Sequence, residues 1–248
     1  MERPEFETML SWGPKCGTLD GAEVVYFNQL CNEYGVDTVE AGNLVAFAMD
    51  LFERGIVTDA QLQGLDLYWG NIPAMEALLQ QMAYRSTWIG DTLSRGITYA
   101  VNTIGNGAEN YAFAVKGLTM TGMDPRGYKA TALGYAVGAR GGDYTQVYAK
   151  PETAYTPEQA LLEFGTAKAA DRLSEEGKAL MVRRCLGSNA LVDSLGLCKI
   201  PQLGCLVTNT LETLSKLLRD IVGFRISKDE LFTIGERIIN AERLCNYK

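Results

Sequence analysis

Apolar residues recur at helical spacing along nearly the whole chain. In "AEVVYFNQLCNEYG" Val24, Phe27, Leu30, Cys31 and Tyr34 fall at i, i+3, i+6, i+7 and i+10, which aligns them on one helix face, and Gly35 supplies a stop. "GNLVAFAMDLFERG" repeats the pattern and ends at Gly55. The same period predicts helices over 73–85, 89–104, 128–140, 157–173, 175–195, 209–222 and 228–245. Thr156 before Pro157, and Ser227 with Glu230 three residues on, are start signals. "NYAFAVKGLTM" is the best candidate for a strand or loop. The expected fold is all-α and multihelical. Gly122, Pro125 and Gly127 in "TMTGMDPRG" break the pattern and predict two helical domains, 1–122 and 123–248.

Each half carries one copy of a short pattern. Asn32 to Asp37 read "NEYGVD" and Asp193 to Cys198 read "DSLGLC", each after a helical stretch. A helix that ends on a left-handed glycine exposes its last carbonyls at one spot, and an Asp or Asn three residues earlier lies on the same final turn. An ionised Asp only accepts hydrogen bonds, so it suits a ligand edge with paired N–H donors. Cys198 could act as a thiolate metal ligand. An ordinary helix cap explains the same residues equally simply.

Composition narrows the chemistry. With 248 residues, 47% of them hydrophobic and 21% charged, the chain can bury a substantial core. A net charge of −7 with no basic run excludes a nucleic-acid backbone as partner. The apolar stretches are too short and interrupted to span a bilayer, and Met1 is followed by Glu2 and Glu5 rather than a signal peptide, so a cytoplasmic protein is expected. The six cysteines contain no C-x-x-C pair. Cys16, Cys31, Cys185, Cys205 and Cys245 read as structural thiols. There is no histidine, which leaves carboxylates, Tyr, Lys or Cys for any proton transfer.

The stretches "RPEFETMLSWGPKCG", "LCNEYGVDTVEAGNLVAFAMDLFERGI", "WGN", "LLQQMAYR", "VKGLTMTGMDPRGYKATALGYAVGARGG", "DSLGLC" and "ERIINAERLCN" cover nearly the whole chain. In that order they resemble the second and third domains of the tungsten-containing aldehyde ferredoxin oxidoreductases. The resemblance implies oxidation of an aldehyde to a carboxylic acid, with electrons leaving through a [4Fe–4S] cluster to ferredoxin. It implies that each turn holds one of two pterins whose dithiolenes bind tungsten or molybdenum. Asp193 and Leu197 match contacts to one pterin, Asn32, Val36 and Asp37 match contacts to the other, and Cys198 matches the fourth cluster ligand. Glu7 matches the family's carboxylate near the metal, with Glu5 as the alternative if the alignment slips. Tyr144 in "RGGDYT" takes the place of the family's histidine.

Several departures qualify what the resemblance implies. Tyr144 can donate a hydrogen bond but, with a reference pKa of about 10, is a poor proton shuttle at neutral pH. Asn32 stands where the family carries Asp, keeping an acceptor and losing the charge. The family's C-x-x-C-x-x-x-C and its N-terminal domain lie upstream of the matching stretch, and relatives continue beyond "NYK". A piece of a larger enzyme, inert by itself and needing a missing N-terminal domain or subunit, is therefore expected. Two other readings stay open: a cofactor-free helical scaffold, and a tungsten enzyme acting on aromatic acyl thioesters. Among the remaining features, "DPRG" reads as a turn in which Arg126 pairs with a carboxylate, and the glycines of "GYAVGARGGD" as a weak nucleotide-loop likeness. Trp12, Trp69 and Trp88 read as core or interface residues, and "SEEGK" and "SKDE" as solvated helix starts.

Overall fold

In the first unit the apolar run after the "NEYGVD" turn becomes α3 (Thr38–Glu53), buried around most of its circumference at Leu44, Val45, Ala48, Met49 and Leu51. A helix apolar on nearly all sides must be wrapped by others. The structure, a computed structural model, describes residues 3–200 and 207–247. It divides into two units, Met1–Gly122 and Met123–Lys248. The described residues form thirteen α-helices and a two-stranded ladder, so the fold is all-α. None of these helices is long and apolar enough to cross a membrane.

Against α3 pack α1 (Phe6–Trp12), α2 (Gly21–Tyr34) and α5 (Ile72–Tyr84), while α4 (Asp59–Leu62) and α7 (Ile97–Ile104) pack on α6 (Trp88–Ser94), which itself packs on α5. The fully buried Trp12 stacks on Phe27 with ring centroids 4.3 Å apart, joining α1 to α2. The helix expected over 89–104 is two, because Gly96 at φ 85° starts a new helix after α6. "NYAFAVKGLTM" yields only β1 (Ala114–Val115) and β2 (Leu118–Thr119), an antiparallel pair turned by Lys116 and Gly117 at φ 53° and 79°. Two positive φ values in a two-residue loop match the right-handed twist of a hairpin.

Polar side chains fix this hairpin against the helices. Asn43, on the buried face of α3, donates from Nδ2 to Thr119 Oγ1 at 2.8 Å and to Met120 O at 3.1 Å. Lys15 Nζ donates to Asn43 Oδ1 at 2.7 Å and to Met120 O at 2.8 Å. The Glu40 carboxylate accepts from both the backbone N–H and the hydroxyl of Thr119. Burial pushes the Glu40 carboxyl above its ordinary value and the Lys15 ammonium below its own.

The second unit comprises α8 (Lys129–Val137), α9 (Pro151–Ala154), α10 (Pro157–Phe164), α11 (Lys178–Ser194), α12 (Val207–Leu217) and α13 (Lys228–Asn246). The capping boxes at Thr156 and Ser227 are formed. The helix expected over 157–173 stops at Phe164, where Gly165 turns left-handed, and a 3₁₀ turn follows at Ala167–Ala170. The helix expected over 209–222 ends at Leu217 and passes into a π-turn at Leu218–Val222.

The "SEEGK" expectation fails at Lys178, which is buried rather than solvated. Its ammonium lies 3.6 Å from the buried carboxylate of Glu152 and donates to Ala169 O at 2.7 Å. That carboxylate also accepts from Ala130 N, Thr131 N and Thr131 Oγ1 at 2.8, 3.1 and 2.8 Å. Tyr128, the residue before α8, offers no side-chain cap, so Glu152 caps that helix from another element.

Of the cysteines, Cys16, Cys31 and Cys185 are buried, and burial pushes each thiol to about 12. Cys245 is exposed instead, on the solvent side of α13, and Cys205 lies outside the described residues. Trp69 and Trp88 are exposed within their unit, Trp69 directing its ring N–H to Glu53 at 3.0 Å. Arg126 pairs with Asp124 at 2.6 Å, the turn expected at "DPRG".

Two outcomes follow from this packing. Helices α11 and α13 meet at Gly187 and Gly235, where a Cβ on Gly235 would stand 2.1 Å from Gly187 O. Gly235→Ala should therefore cost about 1–3 kcal/mol, read as a lower urea midpoint; an unchanged midpoint would contradict the close approach. Glu40 holds its proton more tightly folded than unfolded, so stability is lost as pH rises above its ordinary 4.5 and levels off once the folded-state carboxyl ionises. Glu40→Gln should flatten that loss in urea titrations run upward from pH 4.5.

Candidate cofactor-binding site

The two sequence turns adopt one geometry. At the end of α2, Gly35 sits at φ 68°, its N–H donates to Asn32 O at 3.3 Å, and Val36 N donates to Cys31 O at 3.0 Å. At the end of α11, Gly196 sits at φ 66°, its N–H donates to Asp193 O at 3.0 Å, and Leu197 N donates to Val192 O at 3.0 Å. These paired bonds close a helix whose next residue is left-handed. A Cβ on either glycine would meet nothing within 4 Å, so glycine serves the backbone angle here and the outer side of both turns is open.

The side chains around the two turns differ. Asn32 is exposed, and Val36 is half-buried against the first unit's core. Asp37 is exposed but engaged: its Oδ1 accepts from Val39 N at 3.0 Å and Glu40 N at 2.7 Å, which makes it the N-cap of α3. In the second unit Leu197 and Cys198 are exposed, and Asp193 Oδ2 accepts from Lys199 Nζ at 2.8 Å. Among the described residues no three His, Cys, Asp or Glu side chains cluster as a metal site.

Glu7 stands beside the first turn. It is on α1, whose next residue, Thr8, hydrogen-bonds the Thr38 hydroxyl at 2.7 Å, while Trp12 Nε1 donates to Thr38 O at 2.9 Å. These bonds hold α1 against the start of α3, next to Asp37. Glu7 Oε2 accepts from Gly122 N at 2.6 Å, and Oε1 is a buried oxygen with no partner. An unpartnered buried carboxylate oxygen is costly unless something binds or protonates it.

Tyr144 lies beside the second turn. Lys199 Nζ donates to Thr145 O as well as to Asp193, both at 2.8 Å, and so joins the Tyr144 loop to the "DSLGLC" turn. The Tyr144 ring packs on Tyr148, with centroids 5.3 Å apart. The first unit therefore brings Glu7 together with Asp37 and its turn, and the second brings Tyr144 together with Asp193. A groove of about 370 Å³ between α8, α11 and α13, floored by Leu133, Val182, Leu186 and Ile239, includes none of the expected site residues.

Lys15, Asn43 and Lys199 escaped the sequence reading. Asn43 was detectable as a polar residue on the apolar face of α3, and Lys199 as the cation directly after the motif. Nothing local marks Lys15, whose partners on the hairpin are 105 positions away.

All 248 residues match the family model described as aldehyde ferredoxin oxidoreductase, domains 2 and 3. The chain is 32% identical over its full length to the tungsten-containing aldehyde ferredoxin oxidoreductase of Thermococcus kodakarensis, covering 38% of that protein. An aliphatic sulfonate oxidoreductase, WOR-like subunit, of Pyrococcus furiosus is 30% identical over 72% of the chain and 31% of its own length. The active-site complex BamBC of benzoyl coenzyme A reductase, in complex with 1,5-dienoyl-CoA, shares the fold at a TM-score of 0.72 and 22% identity, over 96% of this chain and 40% of that one. The chain thus spans about two fifths of the curated relatives it matches in full. With both turns formed and the family model matched from end to end, the chain belongs to the aldehyde ferredoxin oxidoreductase family, in its second and third domains.

Proposed function

We propose that the chain forms the helical part of a tungstopterin oxidoreductase that converts an aldehyde to a carboxylic acid. The observation that carries this reading is the shared geometry of the two turns, each brought beside a side chain suited to holding or donating a proton. The balanced reaction takes an aldehyde and water to a carboxylic acid, two protons and two electrons. Tungsten held by two pterin dithiolenes supplies the two-electron chemistry when bound, and the electrons pass to a ferredoxin-type acceptor.

The donor set fits that cofactor. A pterin presents neutral N–H groups along one edge, and the turns offer acceptors: the Asn32 amide oxygen, Asp37 Oδ2 and Asp193 Oδ1, none of them occupied by the bonds above. Val36 and Leu197 supply the apolar contacts. The unpartnered Glu7 Oε1 is suited to accept a proton from substrate water, with Oε2 held still by Gly122. Tyr144 supplies a phenolic hydroxyl that can donate a hydrogen bond to a substrate oxygen. Cys198 contributes one thiolate to a [4Fe–4S] cluster that needs four, so the remaining ligands come from a portion outside this chain.

The test supplies that portion. The chain, produced anaerobically with tungsten and the N-terminal portion of a family member, should retain tungsten, pterin and iron. Asp193→Ala should weaken retention about 10–100-fold, the loss of a charge-assisted hydrogen bond, with helix content unchanged by circular dichroism. A complex holding neither metal nor pterin would sink the proposal in favour of a cofactor-free scaffold. Turnover of an aromatic acyl thioester in place of aldehydes would keep the cofactor and move the substrate class.

A further inference from the structure

We propose that Lys199 is a positioning residue that couples the second ligand-holding turn to the Tyr144 loop, so that the Asp193 carboxylate helps fix the segment that carries Tyr144. The proposal rests on the reading of Asp193 as a ligand contact. Lys199 is mostly buried, its side chain 12% exposed, and its ammonium bridges the end of α11, at Asp193 Oδ2, to Thr145 O in the loop. A largely buried ammonium with two acceptors does not swing freely, because giving up either leaves it a donor with fewer partners where little water reaches it.

Other bonds tie the loop at neighbouring points, Tyr148 N donating to Tyr144 O at 2.7 Å and Arg140 pairing with Asp143 at 3.0 Å, and the Lys199 bridge adds the link to Asp193. Asn189 Nδ2, on α11, donates to Val147 O at 2.6 Å, Gln146 Nε2 donates to Glu242 at 2.7 Å, and Asn246 Nδ2 donates to Ala139 O at 2.8 Å. Asp143 Oδ1 accepts from both Thr145 N and Thr145 Oγ1, at 2.7 and 2.6 Å. With its N–H and hydroxyl bound to Asp143, Thr145 takes its remaining anchor through its carbonyl from Lys199. Asp193 makes no contact with the loop in these bonds except through that ammonium. A neutral N–H edge binding at Asp193 shares the carboxylate without displacing the cation, so the loop stays ordered while the ligand is held.

The experiment measures hydrogen exchange in the 143–148 segment of the full chain, without cofactor, for the wild type, Lys199→Met, Lys199→Arg, Asp193→Asn and the double variant Asp193→Asn/Lys199→Met. Exchange should rise roughly tenfold in Lys199→Met and be largely restored in Lys199→Arg. Asp193→Asn should also raise it, although Asp193 does not touch the loop, and the double variant should add nothing beyond Lys199→Met. A lysine that merely packs would leave Asp193→Asn unchanged, and that outcome overturns the coupling, as do additive effects in the double variant. Should Lys199→Met fail to fold, the Asp193→Asn and Lys199→Arg arms decide alone. Tungsten retention in the assembled enzyme is read separately: its absence from the wild type sinks the cofactor reading while the exchange pattern still judges the coupling.

Discussion

The last carbonyls of a helix have no partner inside it, and in each unit of this protein the way one helix meets that constraint positions that unit's candidate ligand residues. Gly35 and Gly196 turn left-handed so that the following N–H groups fold back onto those carbonyls. The same step turns the chain, with the glycine side open at both positions. At the first turn the chain goes straight into α3, whose N-cap is Asp37 itself. One residue therefore belongs both to the expected ligand set and to the start of the most buried helix of its unit. The site and the core of that unit are not separable at Asp37.

Polar groups in the interior perform the positioning that the turns cannot. In the first unit Lys15, Asn43 and Glu40 hold residues 119 and 120, and that segment delivers the Gly122 N–H to one oxygen of Glu7. In the second, Glu152 caps α8 and accepts the Lys178 ammonium immediately after the Tyr144 loop. Removing one member of such a buried set leaves its partners unsatisfied, which costs more than the pair contributes. Loops are expected to be mobile, but these ones end on groups that have nowhere else to go.

How much of this was legible follows from where each determinant lies. Helix identity, the capping boxes and both glycine turns depend on residues within four or five positions of one another, and the pattern of apolar and turn residues shows them. Helix breaks at Gly96 and Gly165 were missed because apolar spacing continues past them, while backbone angle, not side-chain pattern, stops the helix. Lys178 read as a solvated charge because its partner Glu152 is 26 residues away, and no local rule pairs them. The positioning residues Lys15 and Lys199 were missed for the same reason. Sequence shows what a segment is; long-range polar contacts decide what it holds.

The two turns now look more alike in charge than their residues suggest. Asn32 is neutral, so the first turn carries no anion three residues before its glycine. Asp193 keeps its anion, with the Lys199 ammonium 2.8 Å from one of its oxygens offsetting part of the charge at the second turn. Asp37 spends one carboxylate oxygen on two backbone N–H groups of α3, which draws its charge toward the helix. A ligand edge of neutral N–H donors suits both turns under these conditions. The neutral amide at Asn32 thus forgoes one strong hydrogen bond without changing the class of group the turn can hold.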